Sequence, residues 1–245
     1  MTKKIYYSYG LVDTLKDNFN MLPEDFFSGE LKKSSREIHP FYDHAKCPAV
    51  REWHKNTWVA EMPFNLEASF DKDSKELKVL LPNRFSDFFD KKLIEYHTSN
   101  FEDGASLELQ LIYYYFFWTE DSDVWIELHH HPALNRLGLE LVPGTFPISS
   151  WLRPVNFGFK VLYPDQGIFI QKGTPLYYIK FLSKKNGLNL NFSLEKREVT
   201  DDLLKKYAKD SIVKFFGEKE SWNLIKKREE SADKKCPFNF LWKNK

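Results

Sequence analysis

Cysteine is scarce in this 245-residue chain: Cys47 and Cys236 are the only two, each followed by a proline. Two thiols so far apart make no disulfide framework, and a reducing compartment is expected. Glycine (10) and proline (12) are also few, which excludes a fibrous or low-complexity protein. Charge of one sign is missing too, with 36 Lys and Arg against 35 Asp and Glu. No general nucleic-acid surface is therefore expected. The longest apolar run, LIYYYFFW at 111–118, falls far short of the roughly 20 residues that span a bilayer. The opening MTKKIYYSYGLVDTLKDNF has neither an apolar core segment nor a small-residue cleavage site. It does not read as a signal peptide, and no membrane partner is expected.

What the chain has in quantity is rings. Aromatics make up 17 %, with 22 Phe and 12 Tyr, enough to fill a core and exclude wholesale disorder. Residues 1–56 alternate short apolar clusters with polar stretches and carry a helix-start signal at Pro23-Glu24-Asp25. They read as an irregular N-terminal arm of loops and short helices. Residues 57–198 have β texture. TWVAEMPFNLEASFDKDSKELKVLLP (57–82) predicts two or three strands, with DKDSKE as a hairpin turn. NRFSDFFDKKLIEYHTSN (83–100) reads as a short helix or an irregular insert. Strand patterns then recur, broken at Pro143-Gly144, at Pro164 to Gly167 and at Lys172 to Pro175. Residues 199–245 turn helical after an N-cap at Thr200. The expected fold is mainly β: a jelly-roll or β-clip-like antiparallel barrel or sandwich with a C-terminal helical extension.

Three of the seven histidines fall together in WIELHHHPALNR (125–136). On a strand, Glu127, His129 and His131 share one face while Ile126, Leu128 and His130 share the other. One carboxylate and two imidazoles suit Fe, Mn or Zn, so these three are the candidate metal ligands. The plainer alternative is a strand end with no cofactor, in which His130 or His131 caps the strand before Pro132. The row resembles the cupin pattern, where a His-x-His strand works with a later Glu and a second-motif His. Gly158, Pro164 and Gly167 resemble the turn of that second motif. That resemblance implies a metal-dependent oxygenase or isomerase. The set is incomplete, because no histidine follows His131 and Glu140 stands too far on for the usual spacing. His39, His44, Cys47 and His54 gather further donors, at a spacing that matches no zinc finger.

There is no Walker loop, GxGxxG or GxSxG elbow. GLELVPGTFPISSWLRPVNFGFKVLYPDQGIFIQKGTPLYYIKF (138–181), with CPAVREWHKNTWVAEMPFNLEASF (47–70), is the most distinctive stretch. It resembles an uncharacterised family of hypothetical proteins from tailed phages, marine cyanophages among them, and from some bacteria, over roughly residues 47–183. The same stretch is distantly similar to the dUTPase-like β-clip. Gly144-Thr145-Phe146 matches its first turn and Gly173-Thr174-Pro175-Leu176-Tyr177 its second. The aspartate that would activate water is replaced by Pro147 or Ser149, and Tyr177-Tyr178 stands where Ala-Gln is usual. The similarity thus implies a nucleotide-binding relative without hydrolysis. Trp151, Arg153 and Tyr177 are the candidate ligand contacts, since an Arg beside a Trp can stack on or pin a planar or anionic ligand. The bland alternative puts Trp151 in the core and Arg153 against a loop.

The leading expectation is a phage-type binding or structural protein without conventional catalysis and without a cofactor. Its expected partners are copies of itself, through aromatic-rich strands, or other phage and host proteins. Its expected place is the cytoplasm, a host's if phage-encoded, or a virion.

Overall fold

Period-2 alternation of large apolar residues shapes most of the described residues into strands. The computed structural model describes residues 2–9, 31–36, 46–71, 73–74, 76–80, 94–101, 104–150, 152, 154–185, 190–200 and 202–203. In chain order the first strands are β1 (Thr2–Tyr9), β2 (Lys32–Lys33), β3 (Thr57–Glu61), β4 (Leu66–Asp71) and β5 (Glu76–Leu80). Next come β6 (Ile94–Phe101), β7 (Gly104–Trp118), β8 (Trp125–His130), β9 (Leu139–Leu141) and β10 (Gly144–Pro147). The last are β11 (Pro154–Val161), β12 (Ile168–Ile170), β13 (Pro175–Leu182) and β14 (Asn191–Lys196). An α-helix, α1 (Pro48–Lys55), leads into β3.

A six-stranded sheet runs β14-β1-β7-β11-β9, with β6 also paired to the long β7. A five-stranded sheet runs β10-β8-β13-β3-β2, and a three-stranded one β12-β4-β5. Aromatic rings join the two larger sheets. Phe117 on β7 meets Phe181 on β13 at 5.6 Å, and Phe157 on β11 stacks on Tyr177 of β13 at 4.9 Å. The result is a mainly β protein of the sandwich class, with no closed barrel among the described residues.

Two segments depart from expectation. Thr2–Tyr9 is not part of an irregular arm; it is a strand inside the six-stranded sheet, parallel to β14 and antiparallel to β7. Lys3 disguises it in the sequence, since a lysine rarely faces inward. Here Lys3 is buried and its ammonium donates to the Ser122 carbonyl at 2.9 Å. Ile94–Phe101, expected to be helix or insert, is a strand that pairs with β7 from Ile94↔Leu111 to Phe101↔Gly104. Pairing with a long neighbour overrides local propensity there. The DKDSKE hairpin forms as expected, with Asp71 Oδ1 accepting from the Asp73 and Ser74 amides at 2.9 and 3.2 Å. The N-cap at Thr200 is present, its Oγ1 accepting from Leu203 N at 3.2 Å. Residues 204–245 of the helical extension lie outside the described residues. Among the described residues no helix is long and apolar enough to cross a membrane.

Candidate functional site

β8 points Ile126 and Leu128 into the core and leaves Glu127 and His129 half-buried on the outer face of the five-stranded sheet. On that face His129 Nε2 lies 3.2 Å from Glu127 Oε2. The neighbouring strand β13 sets Tyr178 opposite His129 and Lys180 opposite Glu127. Helix α1 lies over this row. Its Trp53 ring meets Tyr178 edge-on at 5.1 Å and His129 at 5.8 Å, and its His54 ring is 6.1 Å from Tyr178. The Lys180 ammonium sits 5.6 Å from the Trp53 ring.

The end of α1 is fixed by polar contacts. Asn56 Nδ2 donates to the Leu190 carbonyl at 2.7 Å, and its Oδ1 accepts from Phe192 N at 3.1 Å. Thr57 Oγ1 donates to the Trp53 carbonyl at 2.6 Å, and Lys33 Nζ to that of Lys55 at 3.0 Å. Burial beside the helix end lowers the Lys33 ammonium below its ordinary range. His54 Nδ1 lies 2.8 Å from Ser34 Oγ, which donates to the Thr57 carbonyl at 3.0 Å.

The other histidines of the run serve the fold. His130 Nδ1 accepts from Leu141 N at 3.3 Å, which leaves the proton on Nε2 to donate to Asn135 Oδ1 at 2.7 Å. That ring ties β8 to the turn after it and to β9. His131 is only 9 % exposed and N-caps the 3-10 helix Pro132–Leu137, its Nδ1 accepting from Ala133 N at 3.1 Å. Its ring packs 4.6 Å from Tyr178. The predicted row of three ligands therefore resolves into a Glu127–His129 pair and a capping His131. Among the described residues no group of three or more His, Cys, Asp or Glu gathers closely enough to hold a metal.

Of the second donor group, His39 and His44 lie outside the described residues. Cys47 and His54 sit at opposite ends of α1, and Cys47 is exposed. The Val50 and Ala49 amides at the helix start hold its thiol below the usual range.

Tyr177 is not the surface contact expected of a ligand-binding residue. It is 1 % exposed, within the core, stacked on Phe157. Its hydroxyl has no hydrogen-bond partner among the described residues, and burial pushes it well above the ordinary phenol range, with Tyr115 adding to the effect. The strand period settles which of the pair faces out: Tyr178 does. Trp151 and Arg153 lie outside the described residues. Gly144-Thr145-Phe146, expected as a turn, belongs to strand β10 and pairs with β8. Of the second turn, Gly173 lies in a turn at φ 84°, while Pro175, Leu176 and Tyr177 begin strand β13. The sequence pattern did not single out Trp53, Lys180 or Asn56, because their roles depend on register and on where α1 docks.

No protein-family model matches the chain, and no curated protein matches it either. Among solved structures, a native dUTPase structure from EIAV is similar, covering 51 % of this chain and 90 % of its own. The TM-score is 0.27 and the identity 6 %. At that level of likeness neither fold detail nor activity carries over.

Proposed function

We propose that the chain is a phage-type binding or structural protein that works without conventional catalysis, with the outer face of the five-stranded sheet as its contact face. The supporting observation is the half-exposed cluster of Trp53, Tyr178, His129 and Lys180 on that face. Aromatic side chains are enriched at protein interfaces, where a rigid ring gives contact area at small entropic cost. The residues that looked most like chemistry are meanwhile committed to the fold: His130 and His131 fasten a turn, and Tyr177 fills the core.

A second reading draws on the Glu127–His129 contact of 3.2 Å. A metal-dependent enzyme of oxygenase or isomerase type would use that pair with Fe, Mn or Zn, and would need His131 to leave its cap. Nucleotide binding without hydrolysis is a third reading, carried by the turn resemblance at Gly173. Metal analysis of tag-free protein separates the first two. The binding reading expects far less than one metal per chain and no change on Glu127→Gln/His129→Ala substitution. Stoichiometric Fe, Mn or Zn that this double variant loses overturns it. A thermal-shift panel of nucleotides is expected to leave the melting temperature unmoved, and a shift with one of them would favour the third reading.

A further inference from the structure

Helix α1 carries no buried residue, although it lies across the candidate face. Its first turn is exposed at Pro48, Ala49 and Arg51. Its docking on the sheet comes late in the helix, through the Trp53 and His54 rings set edge-on against Tyr178 and through three hydrogen bonds: His54 to Ser34, Thr57 to the Trp53 carbonyl and Lys33 to that of Lys55. Edge-to-face ring contacts and single part-buried hydrogen bonds are each modest in net strength. Immediately after the helix the chain is firmly held, with Asn56 bonded to Leu190 and Phe192 and its own carbonyl accepting from Phe181 N at 2.9 Å. An eight-residue segment is too short to remain helical alone. Its stability is therefore that of its docking, while the strands beneath belong to the core.

We propose that α1 is a hinged strap over the Glu127, His129 and Tyr178 face, fixed at Asn56 and opening from its Cys47 end. When Trp53 lifts, Tyr178 and His129 are uncovered together, because both touch the same indole. What the opening serves rests on the contact-face reading above; the opening itself does not, and metal-free protein alone tests it.

The experiment is amide hydrogen exchange on the full chain. The α1 amides are expected to exchange at least about a hundredfold faster than those of β8 and β13. Trp53→Ala should speed α1 by about tenfold and leave β8 and β13 unchanged. Trp53→Phe, which keeps a ring, should restore most of the protection. Wild-type α1 amides exchanging as slowly as those of β8 and β13 would overturn the strap, and this comparison needs no variant. Uniform acceleration of all three elements in Trp53→Ala would also overturn it, because Trp53 would then belong to the global fold.

Discussion

At the scale of single residues, buried polar groups separate sharply by whether they are partnered. Asn56 uses both ends of its amide to join the chain after α1 to the start of β14. Truncation leaves a carbonyl and an amide without partners in a buried place. Asn56→Ala is expected to cost about 2–3 kcal/mol in urea unfolding. Tyr177 is the opposite case, a buried hydroxyl with no bonding partner among the described residues. Tyr177→Phe keeps the stack on Phe157 and removes an unpaired group, so it should be neutral or stabilising by about 1 kcal/mol. A clear loss of stability would show that the hydroxyl has a role. Asp123 combines a left-handed φ of 58° with a carboxylate that accepts from Ser183 Oγ at 2.5 Å and Lys185 N at 2.7 Å. Burial pushes that carboxyl up, but the Ser183 hydroxyl, the Lys185 amide and the Trp125 indole outweigh it, leaving it below its ordinary value. A depressed carboxyl stabilises the fold above its unfolded value, and the contribution disappears as pH falls through the folded one. Asp123→Asn, which tolerates the same φ, should therefore be less stable than wild type at neutral pH and converge with it in acid. Urea midpoints between about pH 7 and about pH 2.5 read this directly.

Elements show where a period holds and where it ends. Along β8 the alternation seen in WIELHH gives the burial directly: Ile126 and Leu128 in, Glu127 and His129 out. That half of the candidate site was legible because side-chain direction on a strand is local. His131 departs from the ligand row and follows the plainer alternative, a cap before Pro132, because its ring accepts from a backbone amide beyond the strand end, at Ala133. Trp53, Tyr178 and Lys180 depend on which strand lies beside β8 and what covers it, and that is a tertiary fact. The turn after β8 makes the same point through Gly138, whose φ of 64° ends the 3-10 helix. A Cβ placed there would lie 2.7 Å from Tyr163 Cδ2. Gly138→Ala is expected to cost about 1–3 kcal/mol through the left-handed backbone. Chemical shifts of His130 should move with it, since the turn that glycine closes is the one His130 fastens.

Over the whole molecule, the aromatic surplus in the composition becomes the seam between sheets. Most strands were readable from alternation, and so was the class; β1 and β6 were hidden, one by a buried lysine and the other by polar composition. Both are strands because a neighbour supplies the pairing, and the length of β7 lets it pair with each in turn along one edge. The seam runs through Phe181, whose ring meets Trp58 within its own sheet at 5.3 Å and Phe117 and Phe192 across the gap at 5.6 and 6.3 Å. Removing it opens a cavity walled by three rings that strands on both sides hold apart, so collapse is limited. Phe181→Ala is expected to cost about 3–5 kcal/mol. Phe169, on β12, has the same side chain but is 53 % exposed, and Phe169→Ala should fall within about 0.5 kcal/mol of wild type. Chemical denaturation of the two variants, measured side by side, tests whether the rings carry the sandwich: similar losses in both would mean that stability does not reside in the seam.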